Sequence, residues 1–340
     1  MSKPLLAIRD LAVRFPTRSE TVQAVDGVNL EVYPGETVGI VGESGSGKSV
    51  TVLSALRLLP TTARVEISGQ ALFQGRDLLQ ASKRELRRVR GRHIALIPQD
   101  PMTCLDPVVR VGKQLREALC THAALSRAAA RRRAIELLET VGMPEPEQRY
   151  SQYPYEFSGG MRQRAMIAMG IANSPELLIA DEPTTALDVT IQAQIMDVLR
   201  AAQRDTQAGL ALITHDLGLI AEMADRVVVM YAGRVVETGD VHTIFRAPRH
   251  PYTYGLLASL PQTTGSKQQL RQIPGNPPDL SNVPPGCPFH PRCALSRGRA
   301  ICRSERPELL PVDGAGHRSA CHFAAEMATH AQQPAAEQSS

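Results

Sequence analysis

Three observations predict an α/β fold built around a mixed, largely parallel sheet. Short segments rich in Val, Ile and Leu alternate with segments of helical period, the pattern of strands joined by crossover helices. A glycine-rich turn at residues 42–49 stands between one such strand and the helix that follows it. The alternation is suspended over residues 102–170, where only helical spacing is present, and it ends at residue 245, where a proline-rich segment begins.

At roughly 100 to 200 residues per domain, 340 residues predict two or three structural units. With 43% hydrophobic and 21% charged residues a sizeable core is available, which excludes wholesale disorder. A net charge of +4 is too mild to point to a nucleic-acid partner. No run of 18 apolar residues is present, and Arg9 with Asp10 interrupts the first apolar segment, so neither a membrane span nor a signal peptide is expected. The chain is therefore predicted to stay in the cytosol, where structural disulfides are rare.

Taken in order, residues 6–15, 28–32 and 36–41 read as strands, the last after a Pro34-Gly35 turn, and residues 48–59 read as a helix. Residues 93–97 form a further β-type segment, closed by Pro98 and Pro101. Residues 111–119 and 127–141 carry apolar positions at helical spacing inside the insert. Strand signals resume at 177–180, 210–213 and 227–230, separated by helical segments at 190–203 and 217–223. The basic runs at 83–92 and 127–133 are interspersed with apolar residues and read as solvated helical faces. From Arg246 on lie 13 of the 25 prolines and four of the six cysteines, so long regular elements are not expected there. Residues 324–340 lack periodicity and are expected to be disordered. Cys104 and Cys120, in the insert, read as ordinary small apolar residues.

The chemistry concentrates at a few places. The turn Gly42-Glu43-Ser44-Gly45-Ser46-Gly47-Lys48-Ser49 aims backbone N–H groups and a helix N-terminus at phosphates. Lys48 can reach the β and γ phosphates, and the Ser49 hydroxyl can ligate Mg²⁺. The apolar strand 177–180 ends in two carboxylates: Asp181 can hold the hydration shell of Mg²⁺, and Glu182 is placed to act as general base on a water. Ser158-Gly159-Gly160 opens a helix and is a second potential anion site.

The order of residues 42–49, Gln99, Ser158-Gly159-Gly160, Asp181-Glu182, Ala186-Leu187-Asp188 and His215 resembles the nucleotide-binding subunit of ATP-binding cassette (ABC) transporters over residues 5–245. The resemblance implies a P-loop ABC ATPase core in two parts, residues 1–101 and 171–245, with a helical subdomain over 102–170. It also implies roles for single residues. Gln99 contacts Mg²⁺ and links the site to membrane subunits, and Ser158, Gly159 and Gly160 close over the γ-phosphate held by an opposite subunit. Asp188 belongs to a loop crossing the dimer interface, His215 contacts the γ-phosphate, and Phe15 stacks on adenine. Met161 stands where the signature commonly has Gln, and Pro98 where an aromatic is frequent; neither removes a phosphate or metal ligand. The implied cofactors are ATP and Mg²⁺, with two ATP molecules joining two such subunits head to tail.

Residues 231–239, 247–252, 273–279 and the cysteine segment are similar to the C-terminal region of ATPases serving dipeptide, oligopeptide and nickel importers, most closely the dipeptide type. Residues 246–323 thus read as an irregular Cys/Pro-rich extension. Cys287, Cys293, Cys302 and Cys321 can hold an iron–sulfur cluster or Zn²⁺, or remain free or disulfide-bonded; close Cys-x2-Cys pairs typical of zinc ribbons are missing. Some members of the resembling family carry a 4Fe-4S cluster at these cysteines, which makes the cluster the expected group here, with His290, His317 and His322 nearby as second-layer or exposed residues. The implied partners are a second, non-identical ABC ATPase subunit, two transmembrane permease subunits docking near residues 102–106, and an extracytoplasmic substrate-binding protein, with no nucleic acid. The implied location is the cytoplasmic face of the plasma membrane. A soluble ABC ATPase acting on nucleic acid or ribosomes commonly has two cassettes or a long coiled-coil insertion, which this sequence lacks. A small-molecule P-loop kinase has no use for residues 158–160 or His215.

Overall fold

In the computed structural model, which describes residues 3–17, 19–60, 64–185, 187–260, 272–314 and 316–330, the apolar runs become strands and the segments of helical period become helices. The chain opens with strands β1 (Leu6–Pro16), β2 (Thr21–Val32) and β3 (Thr37–Val41), then α1 (Lys48–Ala55), β4 (Glu66–Phe73), β5 (Arg76–Asp77), α2 (Lys83–Val89) and β6 (Ile94–Ile97). Helices α3 (Pro101–Cys104), α4 (Val111–Cys120), α5 (Arg127–Thr140), α6 (Pro146–Tyr150) and α7 (Gly159–Ile171) follow without an intervening strand. Next come β7 (Leu177–Asp181), α8 (Val189–Thr206), β8 (Gly209–Ile213), α9 (Leu217–Met223), β9 (Arg226–Tyr231), β10 (Arg234–Asp240), α10 (Val241–Arg246) and α11 (Pro251–Ala258). The last elements are α12 (Ala300–Ser304), β11 (Leu310–Asp313), β12 (His317–Ser319) and α13 (Ala324–His330).

The chain forms two compact units. The first comprises Met1–Ala7, Glu31–Thr37 and Leu72–Ile213. In it β6, β7 and β8 run parallel, with Ile94 opposite Leu177 and Asp181 opposite Ile213. Every residue of β7 and β8 is buried, as expected for parallel strands covered on both faces. The helical stretch is amphipathic: α4 buries Val111, Leu115 and Leu119, and α5 buries Ala130, Ala134, Leu137 and Leu138, so each presents one apolar stripe. Helix α5 packs on α4, α6 and α7, and its arginines 131–133 face solvent. Cys104 and Cys120, read as small apolar residues, are exposed.

The second unit comprises Ile8–Leu30, Val38–Ala71 and Thr214–Ser340. Strand β3 pairs in parallel with β9, and β9 pairs antiparallel with β10. The Cys/Pro-rich extension then adds the hairpin β11–β12, with Glu237 of β10 opposite Ser319 of β12. One fully buried carboxylate anchors this junction. Glu237 accepts from His317 Nε2 at 2.8 Å, from the Arg249 N–H at 2.5 Å and from the His250 N–H at 3.0 Å. A buried acid with three donors is satisfied rather than costly. His250 is itself buried, which pushes its pKa down to about 3 and keeps the ring neutral. Residues 324–330, expected to be disordered, form α13, which buries Ala324 and Met327; residues 331–340 of the expected tail lie outside the described residues.

Candidate functional site

The loop at residues 42–49 leaves the carboxyl end of β3 and enters α1, within the second unit. Its shape requires glycine at two positions. Gly42 has φ 152° and Gly47 φ 97°, and a Cβ at these positions would lie 2.2 Å from the Met230 carbonyl oxygen and 2.5 Å from the Ala24 carbonyl oxygen. Ser44 and Gly45 are exposed and Ser49 is half-buried. Lys48 is 5% exposed and turns back over the loop, its Nζ donating to the carbonyls of Gly42 at 2.8 Å and Glu43 at 3.0 Å. Helix α1 begins with no side-chain cap and no acid in its first turn, so its N-terminal N–H groups offer positive potential to an anion. Ser46 Oγ is buried and has no hydrogen-bond partner. Glycine cradle, ammonium, uncapped helix and orphaned hydroxyl together fit a polyphosphate, which satisfies all four.

In the first unit, Asp181 ends β7 and is 6% exposed. Glu182 follows in the left-handed region at φ 48°, a conformation rare for a residue with a side chain. Its N–H donates to the Ile213 carbonyl at 2.8 Å. Its Oε2 accepts from Gln99 Nε2 at 2.9 Å and from Thr185 Oγ1 at 2.8 Å. The carboxylate is thus aimed by a strained backbone and two side-chain donors, and Gln99 is joined to the candidate base. Thr185 escaped the sequence reading, although it stands three residues after Glu182.

Ser158 caps α7, its Oγ accepting from the Met161 N–H at 3.3 Å; Gly159 is exposed and Gly160 buried. Asp188 caps α8 through Oδ1, which accepts from the Ile191 N–H at 3.0 Å. Beside it Val189 is 83% exposed, a large apolar residue left open at the helix start. Ala186, part of the motif with Asp188, lies outside the described residues.

Back in the second unit, His215 is exposed just before α9, where Asp216 caps the helix by accepting from the N–H groups of Gly218 and Leu219. Phe15 is half-buried near the end of β1. The sequence reading missed Arg292, which the fold brings to the glycine-rich loop. Its guanidinium grips Glu43 at two points, Nη1 to Oε2 at 2.6 Å and Nη2 to Oε1 at 2.9 Å.

The four clustered cysteines converge. Cys287, Cys293, Cys302 and Cys321 line one cavity, joined there by His290 and His322. Burial raises all four thiols, Cys287 to about 11 and Cys321 to about 12, so they are neutral as they stand. Among the described residues no group of three or more His, Cys, Asp or Glu side chains is arranged to hold a metal ion. His317, expected near the cysteines, is engaged instead by Glu237.

Comparison with known proteins adds independent findings. Residues 25–185 match the ABC transporter family model, and residues 236–302 match that of the oligopeptide/dipeptide transporter C-terminal region. An oligopeptide transport ATP-binding protein of Bacillus subtilis is 54% identical over 286 residues, covering 84% of this chain and 80% of the relative. A dipeptide transport ATP-binding protein of Escherichia coli is 49% identical over 319 residues, covering 94% and 96%. Among solved structures, the dimeric structure of a bacterial ABC transporter cassette is 26% identical with a TM-score of 0.62, covering 69% of this chain and 98% of that one.

Proposed function

Because this chain belongs to the family of ABC transporter ATP-binding proteins, in the branch that carries the oligopeptide/dipeptide C-terminal region, we propose that it is the ATP-hydrolysing subunit of a peptide importer, with dipeptides as substrate. The observation that carries this reading is the combination of a phosphate-shaped loop at residues 42–49 with a C-terminal region of the peptide-transport type. No helix among the described residues is long and apolar enough to cross a membrane. The full assembly in this reading has two permeases, a second and non-identical ATPase subunit, and an extracytoplasmic binding protein. The chain works peripherally at the cytoplasmic face.

The residues divide the work as their chemistry allows. The N–H groups of the loop, with Gly42, Ser44, Gly45 and Gly47 at its bends, hold the phosphates. Lys48 exchanges the Gly42 and Glu43 carbonyls for phosphate oxygens. Ser49, Asp181 and Gln99 are the residues to hold Mg²⁺, whose charge would help neutralise the leaving phosphates. Glu182 takes a proton from the attacking water, and His215 contacts the γ-phosphate. Phe15 offers its ring to adenine. Ser158, Gly159 and Gly160 present the N-terminus of α7 to the nucleotide of the second subunit, and Asp188 with the exposed Val189 lies at that interface. Co-purification with the permeases and uptake of labelled dipeptides, longer peptides and nickel tests the assignment. Dipeptide uptake that depends on this chain is expected; uptake of longer peptides or nickel alone would replace the dipeptide assignment, and failure to associate with any permease would end the transporter reading.

The four cysteines have the donor chemistry a 4Fe-4S cluster requires and line one cavity, and although they are not arranged there as a metal-binding group, we infer that they would hold such a cluster. All four thiols must lose their protons to bind it, which makes loading weaker at low pH. The group would staple a segment whose own core is small. Anaerobically purified protein is expected to be brown and to contain about four iron and four sulfide per chain. A colourless protein with one zinc by metal analysis would replace the cluster with a thiolate zinc site.

A further inference from the structure

The phosphate loop contains an acid, and that acid is out of place. Glu43 follows Gly42 in a loop shaped for a polyanion, where an unpaired carboxylate repels the ligand. Arg292, from the cysteine segment of the extension, cancels it through the two-point contact described above. The arginine is held from several sides. It is 8% exposed, its Nε donates to the Pro274 carbonyl at 2.9 Å, and Nη1 reaches the Tyr231 hydroxyl at 3.4 Å. Its guanidinium also lies 5.8 Å and 5.9 Å from the ring centres of Tyr231 and Phe289, within cation–π range.

The backbone at the same position is held too. The Glu43 N–H donates to the hydroxyl of Tyr252, a fully buried residue of α11, at 2.7 Å. The Glu43 carbonyl accepts from Lys48 Nζ and from the Ser46 N–H at 3.2 Å. Residue 43 therefore meets the extension twice, Arg292 through its side chain and Tyr252 of α11 through its N–H, and meets Lys48 through its carbonyl. Tyr231, Tyr252 and Phe289 pack with ring centres 4.6 to 5.4 Å apart beneath this contact. A paired guanidinium with this many supports has few other places to go, so removing either charge leaves the other buried or repelling.

We propose that Arg292 is a positioning residue for the nucleotide site: by neutralising Glu43 and holding the first turn of the loop, the C-terminal extension sets how tightly ATP binds. The proposal rests on the nucleotide-binding reading, which the wild-type chain's own MgATP affinity tests separately. Titration of the full-length chain with a fluorescent ATP analogue plus Mg²⁺ decides it. Arg292→Gln is expected to weaken binding about 10-fold, because the loop keeps an unpaired carboxylate. The double variant Glu43→Gln/Arg292→Gln is expected to return to within about threefold of wild type, since the repelling charge is gone as well. Both variants lose the two-point contact, so a role confined to that contact's hold on the loop would weaken both alike. Unchanged affinity in Arg292→Gln, or a double variant as weak as the single one, overturns the proposal. If Arg292→Gln does not fold, Arg292→Lys decides, because it keeps the charge without the two-point grip. A loss of about threefold is expected there, and wild-type affinity overturns the proposal.

Discussion

Glu182→Gln in the assembled transporter is expected to bind MgATP with near wild-type affinity and to turn it over at least about 100-fold more slowly. The substitution is close to isosteric and keeps an acceptor for Gln99 Nε2 and Thr185 Oγ1, which lie 2.9 and 2.8 Å from Glu182 Oε2. It also leaves intact the N–H bond to Ile213 that accompanies the φ of 48°. What is lost is the ability to accept a proton from water, so the loss should fall on turnover and spare binding. Single-turnover hydrolysis and nucleotide affinity measured on one preparation separate the two. Unchanged steady-state ATPase would remove Glu182 from the base role and turn attention to other groups near the attacking water.

Lys48→Ala should act on the other side of that division, weakening MgATP binding about 100-fold or more. The Lys48 ammonium is nearly buried, and its partners include two carbonyl oxygens of the loop itself. A phosphate offers that ammonium a full negative charge in a site of low exposure, where a charge-assisted contact is at its strongest. The variant also leaves the Gly42 and Glu43 carbonyls short of a donor, so its melting temperature must be followed alongside its affinity. A folded Lys48→Ala protein that bound MgATP within about threefold of wild type would show that the phosphates lie elsewhere.

The two effects draw on features of different legibility. Loop 42–49, its glycines and Lys48 were readable because phosphate binding by a strand–turn–helix junction is contained in eight consecutive residues. The acids at the end of β7 were readable because an apolar run buried on both faces stops at the first carboxylate. Helix α9 has the predicted bounds, and α8 and β8 extend only slightly beyond theirs, because stripe and cap are local signals. Strand β10 went unread because its Glu237-Thr238-Gly239-Asp240 end looks like a turn; only three distant donors make a buried Glu237 acceptable in a strand. The hairpin β11–β12 was hidden for a related reason, since its register depends on β10 rather than on its own short, proline-containing sequence.

By itself, then, the sequence determined which candidate groups stand together along the chain: a glycine-rich loop before a helix, a carboxylate pair at a strand end, and a helix opened by Ser158-Gly159-Gly160. The tertiary structure alone decided which distant groups meet these residues. Glu43 and Arg292 are 249 positions apart, and nothing in either segment marks the other. Likewise four cysteines spread over residues 287–321 share a cavity only after the chain has folded around it. The physical reason is that caps, turns and amphipathic stripes are set by local backbone geometry, whereas an ion pair across the fold is set by where packing places two segments, and packing leaves no periodic trace in the sequence.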